Sequence, residues 1–497
     1  MIPLLINLGY KIVTEMKITG VTFTYDEDVK INKNFFATLA NMDKTLNIWK
    51  QRNLSIIGKI QITKTYGTSQ LIFITNMINT PLNITKQANS SLYKFLWNGP
   101  DKVKRQAMVS DFAQGGLKMP HFESILKTQK IMWAKRYASP NYHPWKEFLN
   151  VALKENFGGV NILNRFLSEN SIKKSKMSDF NKDILITWNS FKNIPITAAE
   201  IGNQYLWCNY NITKPNGTPL NSQRLSKIGI NYIKDIIANQ KIFSINDINT
   251  QNITMLEKLE MSSVINCLPK AWKELTYNAQ DIKCFEKQQQ ADMTKLKSKT
   301  VYKKMVQRII IPPSSENFFK ENFDVLNEDF ERIYSIPFKA TIYTKLRAFQ
   351  FKINHNILYT NEKLYRIKIS ESPLCSLCDD ETETLTHLFV DCCKVQIIWR
   401  KVIEHLLQPF GVTVLTKRDI VLGFDTKDQQ NNVINHIILE TKYYIYACKI
   451  EECLPKFCRL KSRLKITENI EQQIATKNEQ KTKHTYKWHH LSNYLLS

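Results

Sequence analysis

Apolar residues recur at steps of three and four along much of the chain, the spacing that lines one face of an α-helix. Phe36, Leu39, Met42, Leu46 and Trp49 make such a stripe, with Lys44 and Lys50 off it. Leu54, Ile57, Ile60 and Ile62 extend the apolar content past Gly58-Lys59. Leu92, Phe95, Leu96 and Trp97 close a further helix before the Asn98-Gly99-Pro100 stop. Near the start, Lys17 to Phe23 alternates β-branched and small residues and runs into the acidic loop Tyr25-Asp26-Glu27-Asp28, which predicts a short strand region within residues 1–30. Only 14 Gly and 16 Pro stand in 497 residues, so a mostly α, multi-domain chain is expected over a turn-rich β fold.

Composition shifts predict the boundaries. The helical pattern of 31–150 gives way to a polar, basic stretch at 165–185 (Lys173, Lys174, Lys176) that reads as a linker. Trp207, Ile212, Ile228-Gly229-Ile230, Ile233, Ile236 and Ile237 are candidate core of the segment 151–330. Phe285 to Thr300 is charged and Gln-rich, a second expected linker. Residues 331–425 are densely apolar around a cysteine cluster. The last segment, 426–497, is expected to be helical, then basic and frayed, with Lys456, Arg459, Lys461, Arg463 and Lys465 close together. The length itself suggests about three folded units.

Charge changes the picture most. Lys and Arg number 69 against 45 Asp and Glu, a net +24. Such a surplus repels itself in a compact body unless a polyanion sits against it, so nucleic acid is the expected partner. The opening Met1-Ile2-Pro3-Leu4-Leu5-Ile6 has no basic residue before it and reads as a poor secretory signal. Apolar runs such as Leu71 to Ile78 are too short for a membrane span. The expected location is nuclear and cytoplasmic, without secretion, membrane or small-molecule substrate.

The sharpest chemical signal is Cys375-x-x-Cys378, then eight residues to His387 and four more to Cys392. Zinc takes four soft or borderline ligands in a tetrahedron, and a C-x-x-C turn supplies two of them. His387 and Cys392 are five apart, so both approach one ion if a helix begins or bends between them. Cys393 is an alternative fourth ligand. Four protein ligands make a closed, structural zinc site, contributing on the order of 10 kcal/mol to folding. Basic residues interleaved with aromatic ones form the second signal. Arg52, Lys59 and Lys64, then Lys102, Lys104 and Arg105 after Trp97, are candidate phosphate contacts, each also readable as a solvated helix face. The chain has no Gly-rich phosphate loop, H-E-x-x-H or G-x-S-x-G motif. Its adjacent aspartates, Asp379-Asp380, fall inside the cysteine loop and read as solvated turn residues.

Several motifs resemble non-LTR (LINE-type) retrotransposon reverse transcriptases, in that family's order. Trp49-x-x-Arg52-x-Leu54-Ser55-x-x-Gly58-Lys59-Ile60-x-x-x-Lys64, Phe95-x-Trp97-Asn98-Gly99 and Gly115-Gly116-Leu117-x-Met119-Pro120 are similar to the helical thumb. Lys17 to Phe23 resembles the last palm hairpin, with Thr19-Gly20 where Leu-Gly is usual. Leu206-Trp207-x-Asn209 and Gly229-Ile230-x-x-Ile233-x-Asp235 resemble the connector. Leu346-Arg347-x-Phe349-Gln350, Leu358-x-Thr360-Asn361, the Cys/His cluster and Trp399 resemble the reverse-transcriptase zinc-binding domain. The resemblance implies a palm remnant at 1–30, thumb at 31–150, connector at 151–330, zinc-binding domain at 331–425 and basic tail at 426–497. It also implies a C-terminal fragment without the catalytic aspartates, gripping RNA and DNA in target-primed reverse transcription and inactive as a polymerase alone. The rival readings are an inert or domesticated zinc module that binds protein, and a polymerase part completed by an upstream segment.

Overall fold

The computed structural model describes residues 13–425 and 431–496; the Met1–Ile6 run lies outside them. The described chain is mostly helical, with two short antiparallel hairpins. Strands β1 (Glu15–Ile18) and β2 (Val21–Thr24) form the first, and β3 (Ile237–Ala238) and β4 (Lys241–Ile242) the second. The helices that matter below are α1 (Ala37–Lys50), α2 (Ile56–Ile62), α3 (Leu82–Trp97), α4 (Phe122–Ala138), α5 (Glu169–Lys174), α6 (Asp179–Phe191) and α7 (Ala279–Lys295). They continue with α8 (Asp329–Ala340), α9 (Thr344–Asn354), α10 (Cys393–Val402), α11 (Asn431–Ile450), α12 (Phe457–Lys477) and α13 (Lys481–Leu496).

The chain folds as two compact units. Of the described residues, one holds 13–35, 71–85 and 122–305, the other 36–70, 86–121, 306–425 and 431–496. The expected thumb segment 31–150 is therefore divided between them rather than standing as one body.

In the first unit, Ile18 pairs with Val21 across a two-residue turn in which Thr19 (φ 47°) and Gly20 (φ 89°) are both left-handed. That geometry matches the twist of the flanking strands and favours glycine at the second position. The expected linker at 165–185 is folded instead. It carries α5 and α6, whose Ile172, Ile184 and Leu185 enter the same core as Ile131 and Leu153. Lys173, Lys174 and Lys176 stay exposed while Ile172 and Met177 turn inward. Arg165 is fully buried and donates to the carbonyls of Phe157 (2.8 Å) and Gly159. The second expected linker, 285–300, is largely the exposed half of α7. A core in the segment 151–330 contains Trp207, Ile212, Ile233 and Ile236 as expected, but Ile228 points to solvent. Asn209 of the Leu206-Trp207-x-Asn209 motif is buried and holds the loop, accepting from the N–H groups of Phe166 (3.1 Å) and Asn211 (3.1 Å).

The second unit begins with the predicted α1 stripe. Leu39, Met42 and Leu46 are buried, but a widened turn at Asn32–Phe36 shifts the phase, so Phe35 is buried and Phe36 exposed. The Gly115-Gly116 turn lies against α8 and α9. A Cβ at Gly115 would meet Tyr334, one at Gly116 would meet the Ser110 carbonyl, and His355 Nε2 is 2.7 Å from the Gly115 carbonyl. One continuous core then runs from Phe319 through Phe349, Leu388, Trp399 and Ile437 to Trp488 and Leu491. The segment 426–497 is thus no frayed tail: where described, α11 is buried along most of its length, because Val433, Ile434, Ile437, Ile438 and Ile445 face that core. Trp488 of α13 is fully buried and donates to Glu471 at 3.0 Å.

Two outcomes check this packing. Trp488→Ala should cost about 3–5 kcal/mol and lower the thermal midpoint followed by circular dichroism; an unchanged melt would mean that α13 does not belong to the core. His355 is held neutral, its pKa lowered to about 4 by burial against a smaller opposing pull from the Gly115 carbonyl. The unfolded chain takes up a proton below about 6.5 and the folded one does not, so stability falls between roughly pH 6.5 and 4, by up to about 3 kcal/mol. In His355→Asn this acid-side loss should shrink, measured by urea denaturation across that range.

Candidate metal centre

The Cys/His cluster is assembled by three local devices. An antiparallel bridge between Leu374 and Thr382, with the Cys375 N–H donating to the Glu381 carbonyl (2.9 Å), closes a tight loop. Left-handed Asp379 (φ 57°) reverses the chain at its tip, where Asp379 and Asp380 are exposed. The third device answers the five-residue spacing. His387–Asp391 forms a widened turn in which the Cys392 N–H bonds the His387 carbonyl at 2.9 Å. That i→i+5 bond brings residue 392 back over residue 387, which a regular α-helix would not do.

The Sγ atoms of Cys375, Cys378 and Cys392 and a ring nitrogen of His387 lie within 4.8 Å of one another. Cys375 Sγ is 4.0 Å from Cys392 Sγ, and Cys378 Sγ is 3.4 Å from His387 Nε2. A tetrahedral zinc with bonds of about 2.3 Å to sulfur and 2.0 Å to nitrogen needs S···S edges of about 3.8 Å and S···N edges of about 3.5 Å. The cluster fits. Backbone N–H groups of Leu377 and Cys378 point at Cys375 Sγ, and those of Lys394 and Val395, at the start of α10, at Cys392 Sγ. All four donors favour thiolate, although at Cys375 the Cys392 sulfur and then burial outweigh them and push the thiol up. His387 Nδ1 is 2.9 Å from Glu381 Oε2, which leaves Nε2 free to bind and fixes the ring's orientation. Cys393 is exposed and outside the group, so Cys392 is the thiol that completes the cluster.

The surroundings anchor the loop. Glu383 is fully buried, accepts from Asn361 N–H (2.8 Å) and Ser376 Oγ (3.4 Å), and pairs with Lys449 of α11. The sequence reading missed this pair, because nothing local distinguishes Glu383 from the acids around it.

The basic candidates separate. Arg52 is exposed after α1, and Lys104 is exposed where a short helix starts. Lys64 is half-buried, its pKa lowered by burial and then by Lys118. Arg105 is already engaged, bonded to Asp101 at 2.7 Å and lying over the Tyr93 ring. Lys59 and Lys102 come together. Lys59 donates to the Leu96 carbonyl (3.2 Å), and its pKa is lowered by burial, then by Lys50 and Lys102. Lys102 sits 4.5 Å over the Tyr359 ring. They are joined by Lys352 of α9, which sequence reasoning did not single out. Its pKa is lowered by desolvation first, then by Lys102 and, after an opposing pull from Tyr359, by Lys59. Its side chain stays open to solvent, so water screens part of that repulsion.

The family described as zinc-binding in reverse transcriptase matches residues 314–399. The match contains all four ligands, and the family and the Cys3His cluster together fit structural zinc binding. The chain thus carries a reverse-transcriptase-associated zinc-binding region. No curated protein matches it. Among the described residues, no helix is long and apolar enough to cross a membrane.

Within that region the residues divide the work: Cys375, Cys378, His387 and Cys392 would hold the ion, which would crosslink the loop to the start of α10. His387→Ala should abolish zinc retention after dialysis, while much helicity survives because α11 and α12 belong to a core beyond the loop. Glu381→Ala should weaken zinc affinity about 10–100-fold, read by competition with a chromogenic chelator; wild-type affinity would show that Glu381 does not orient the ligand.

Proposed function

We propose that this chain is the nucleic-acid-holding part of a LINE-type reverse transcriptase, gripping template RNA and target DNA during target-primed reverse transcription. In this reading the zinc-ordered unit presents cations to phosphates and works in a ribonucleoprotein of nucleus and cytoplasm. By itself the chain binds nucleic acid and does not polymerise.

The observation that supports this reading most is the grouping of Lys59, Lys102 and Lys352 in the unit that carries the zinc centre. None of the three has an ion-pair partner among the described residues. Like charges gathered without counter-ions cost stability, and a phosphate backbone would relieve that cost. Tyr359 beneath Lys102 adds an aromatic face beside them. Arg52 and Lys104, both exposed, extend the candidate contacts, whereas Arg105 contributes less because Asp101 neutralises it.

The test is RNA and DNA binding across a salt series. Replacing Lys59, Lys102 and Lys352 by Ala together should weaken binding and flatten the log–log salt slope by roughly two to three units. An unchanged slope would remove these lysines from the interface. Binding by the parent chain that ignores salt would defeat the reading as a whole.

A further inference from the structure

In the first unit, a cavity of about 680 Å³ opens between the end of α6 and α7. That volume is in the range that holds a nucleotide-sized ligand. Four aromatic residues, Phe166, Trp188, Phe191 and Phe285, line it together with Gln288 and Gln289. Lys192, just past α6, lines it too and is the unusual part. Its ammonium donates to the carbonyls of Ile162 (3.0 Å) and Arg165, and no carboxylate pairs with it among the described residues. An ammonium has three N–H groups, so one is left without an acceptor. Burial, and then the Arg165 guanidinium, hold its pKa far below the usual lysine range. Arg165 also lacks a carboxylate partner among the described residues and bonds to carbonyls, so two neighbouring cations stand inside the unit without a counter-ion. Of the lining acids, Glu200 is engaged by the N–H groups of Ile196 and Thr197 (2.9 Å each), and Asp292 is exposed. The aromatic wall is incomplete as well. Lys192 lies over the Phe166 ring (4.5 Å) and Lys304 over the Phe191 ring (4.6 Å), while the Trp188 N–H donates to the Ile162 carbonyl (2.8 Å). Phe285 is half-buried, packs against neither the core around Trp207 nor that around Ile184, and meets no ring or cation among the described residues. Gln288 and Gln289 make no side-chain hydrogen bond among them either.

We infer that this cavity is a nucleotide site, in which a base stacks on Phe285 and its phosphate accepts the remaining N–H of Lys192. The two features answer two parts of one ligand. An aromatic face without a partner suits a flat aromatic body. An ammonium beside a guanidinium, with no acid on either, suits an anion, and a phosphate oxygen accepting the third bond offsets both the burial and the repulsion. Gln288 and Gln289 each carry a donor group and an acceptor, the mixture that the edge of a base presents. Asp292 can accept from a ribose hydroxyl. A free mononucleotide and one nucleotide of a single strand offer this same chemistry. Lys59, Lys102 and Lys352 belong to the other unit, so the inference uses none of the residues of the nucleic-acid reading.

The experiment is calorimetric titration of the zinc-loaded full chain with adenosine monophosphate, adenosine and ribose phosphate, alongside fluorescence anisotropy of a labelled single-stranded RNA of about six nucleotides. The monophosphate is expected to bind saturably, and adenosine and ribose phosphate each about fivefold or more weakly than it. Phe285→Ala should weaken the monophosphate about fivefold or more through loss of stacking. Lys192→Met should bring the monophosphate down to the level of adenosine; if that variant lowers the melting midpoint, Phe285→Ala carries the test. No binding of the monophosphate, with RNA affinity that falls in Phe285→Ala, assigns the site to a nucleotide of a strand. Binding of the monophosphate, with RNA affinity unmoved by the substitution, assigns it to a free nucleotide. Indifference of both probes to Phe285→Ala, or ribose phosphate binding as tightly as the monophosphate, overturns the proposal. Replacing Lys59, Lys102 and Lys352 by Ala should leave monophosphate affinity unchanged, so the two readings fail separately.

Discussion

A buried ion pair carries the metal loop. Glu383 stands between Glu381, which orients His387, and the widened turn that supplies Cys392, and its carboxylate is out of reach of water. Lys449 of α11 meets it there, and also donates to the Tyr359 carbonyl at 3.3 Å. Removing either partner would leave the other as an uncompensated charge in the interior, a loss of about 3–5 kcal/mol. The pair therefore couples three things that are far apart in the chain. The zinc loop, the loop that carries Tyr359 beneath Lys102, and the long buried helix α11 settle together or not at all. This explains why the core around the cluster does not stop at residue 425. A small zinc module would need the ion as its main source of stability, whereas this loop is one edge of a core that reaches Trp488.

The strong positive charge is handled in two ways. Inside, cations are satisfied chiefly by backbone and amide oxygens. Lys442 is fully buried on Gln350 Oε1 (2.6 Å) and the Val421 carbonyl (2.8 Å), and burial lowers its pKa far below the usual lysine range. Lys192 sits likewise on the carbonyls of Ile162 (3.0 Å) and Arg165. Carbonyl acceptors let these side chains pack without drawing on a limited supply of acids. Outside, Lys59, Lys102 and Lys352 are left to repel one another. In the proposed function that surface meets a phosphate backbone, which relieves the repulsion.

The Cys3His cluster was legible in the sequence because its chemistry is local: two cysteines in one turn and two more donors a short way on. The helices were legible for a similar reason, since Leu39, Met42 and Leu46 repeat at the helical step and are buried. The misreadings came where burial is decided from a distance. The polar run at 165–185 resembles a linker, yet Arg165 is buried and donates to the Trp207 carbonyl, 42 residues further on, at 3.4 Å. The basic stretch around Arg463 resembles a solvated tail, yet Glu440 of α11, 23 residues earlier in the chain, holds its guanidinium.

By itself the sequence determined which residues could bind a metal, which segments would coil, and that the whole would carry a large positive charge. These follow from side-chain chemistry and from periodicities of a few residues. Tertiary structure alone decided which distant partners neutralise a cation, as Glu440 does Arg463, and which cations gather unpaired, as Lys352 does with two lysines from distant helices and loops. It alone decided that Trp488 and Leu491, near the end of the chain, are buried in the core. Charge pairing and burial depend on which parts of the chain meet, and no local pattern encodes that meeting.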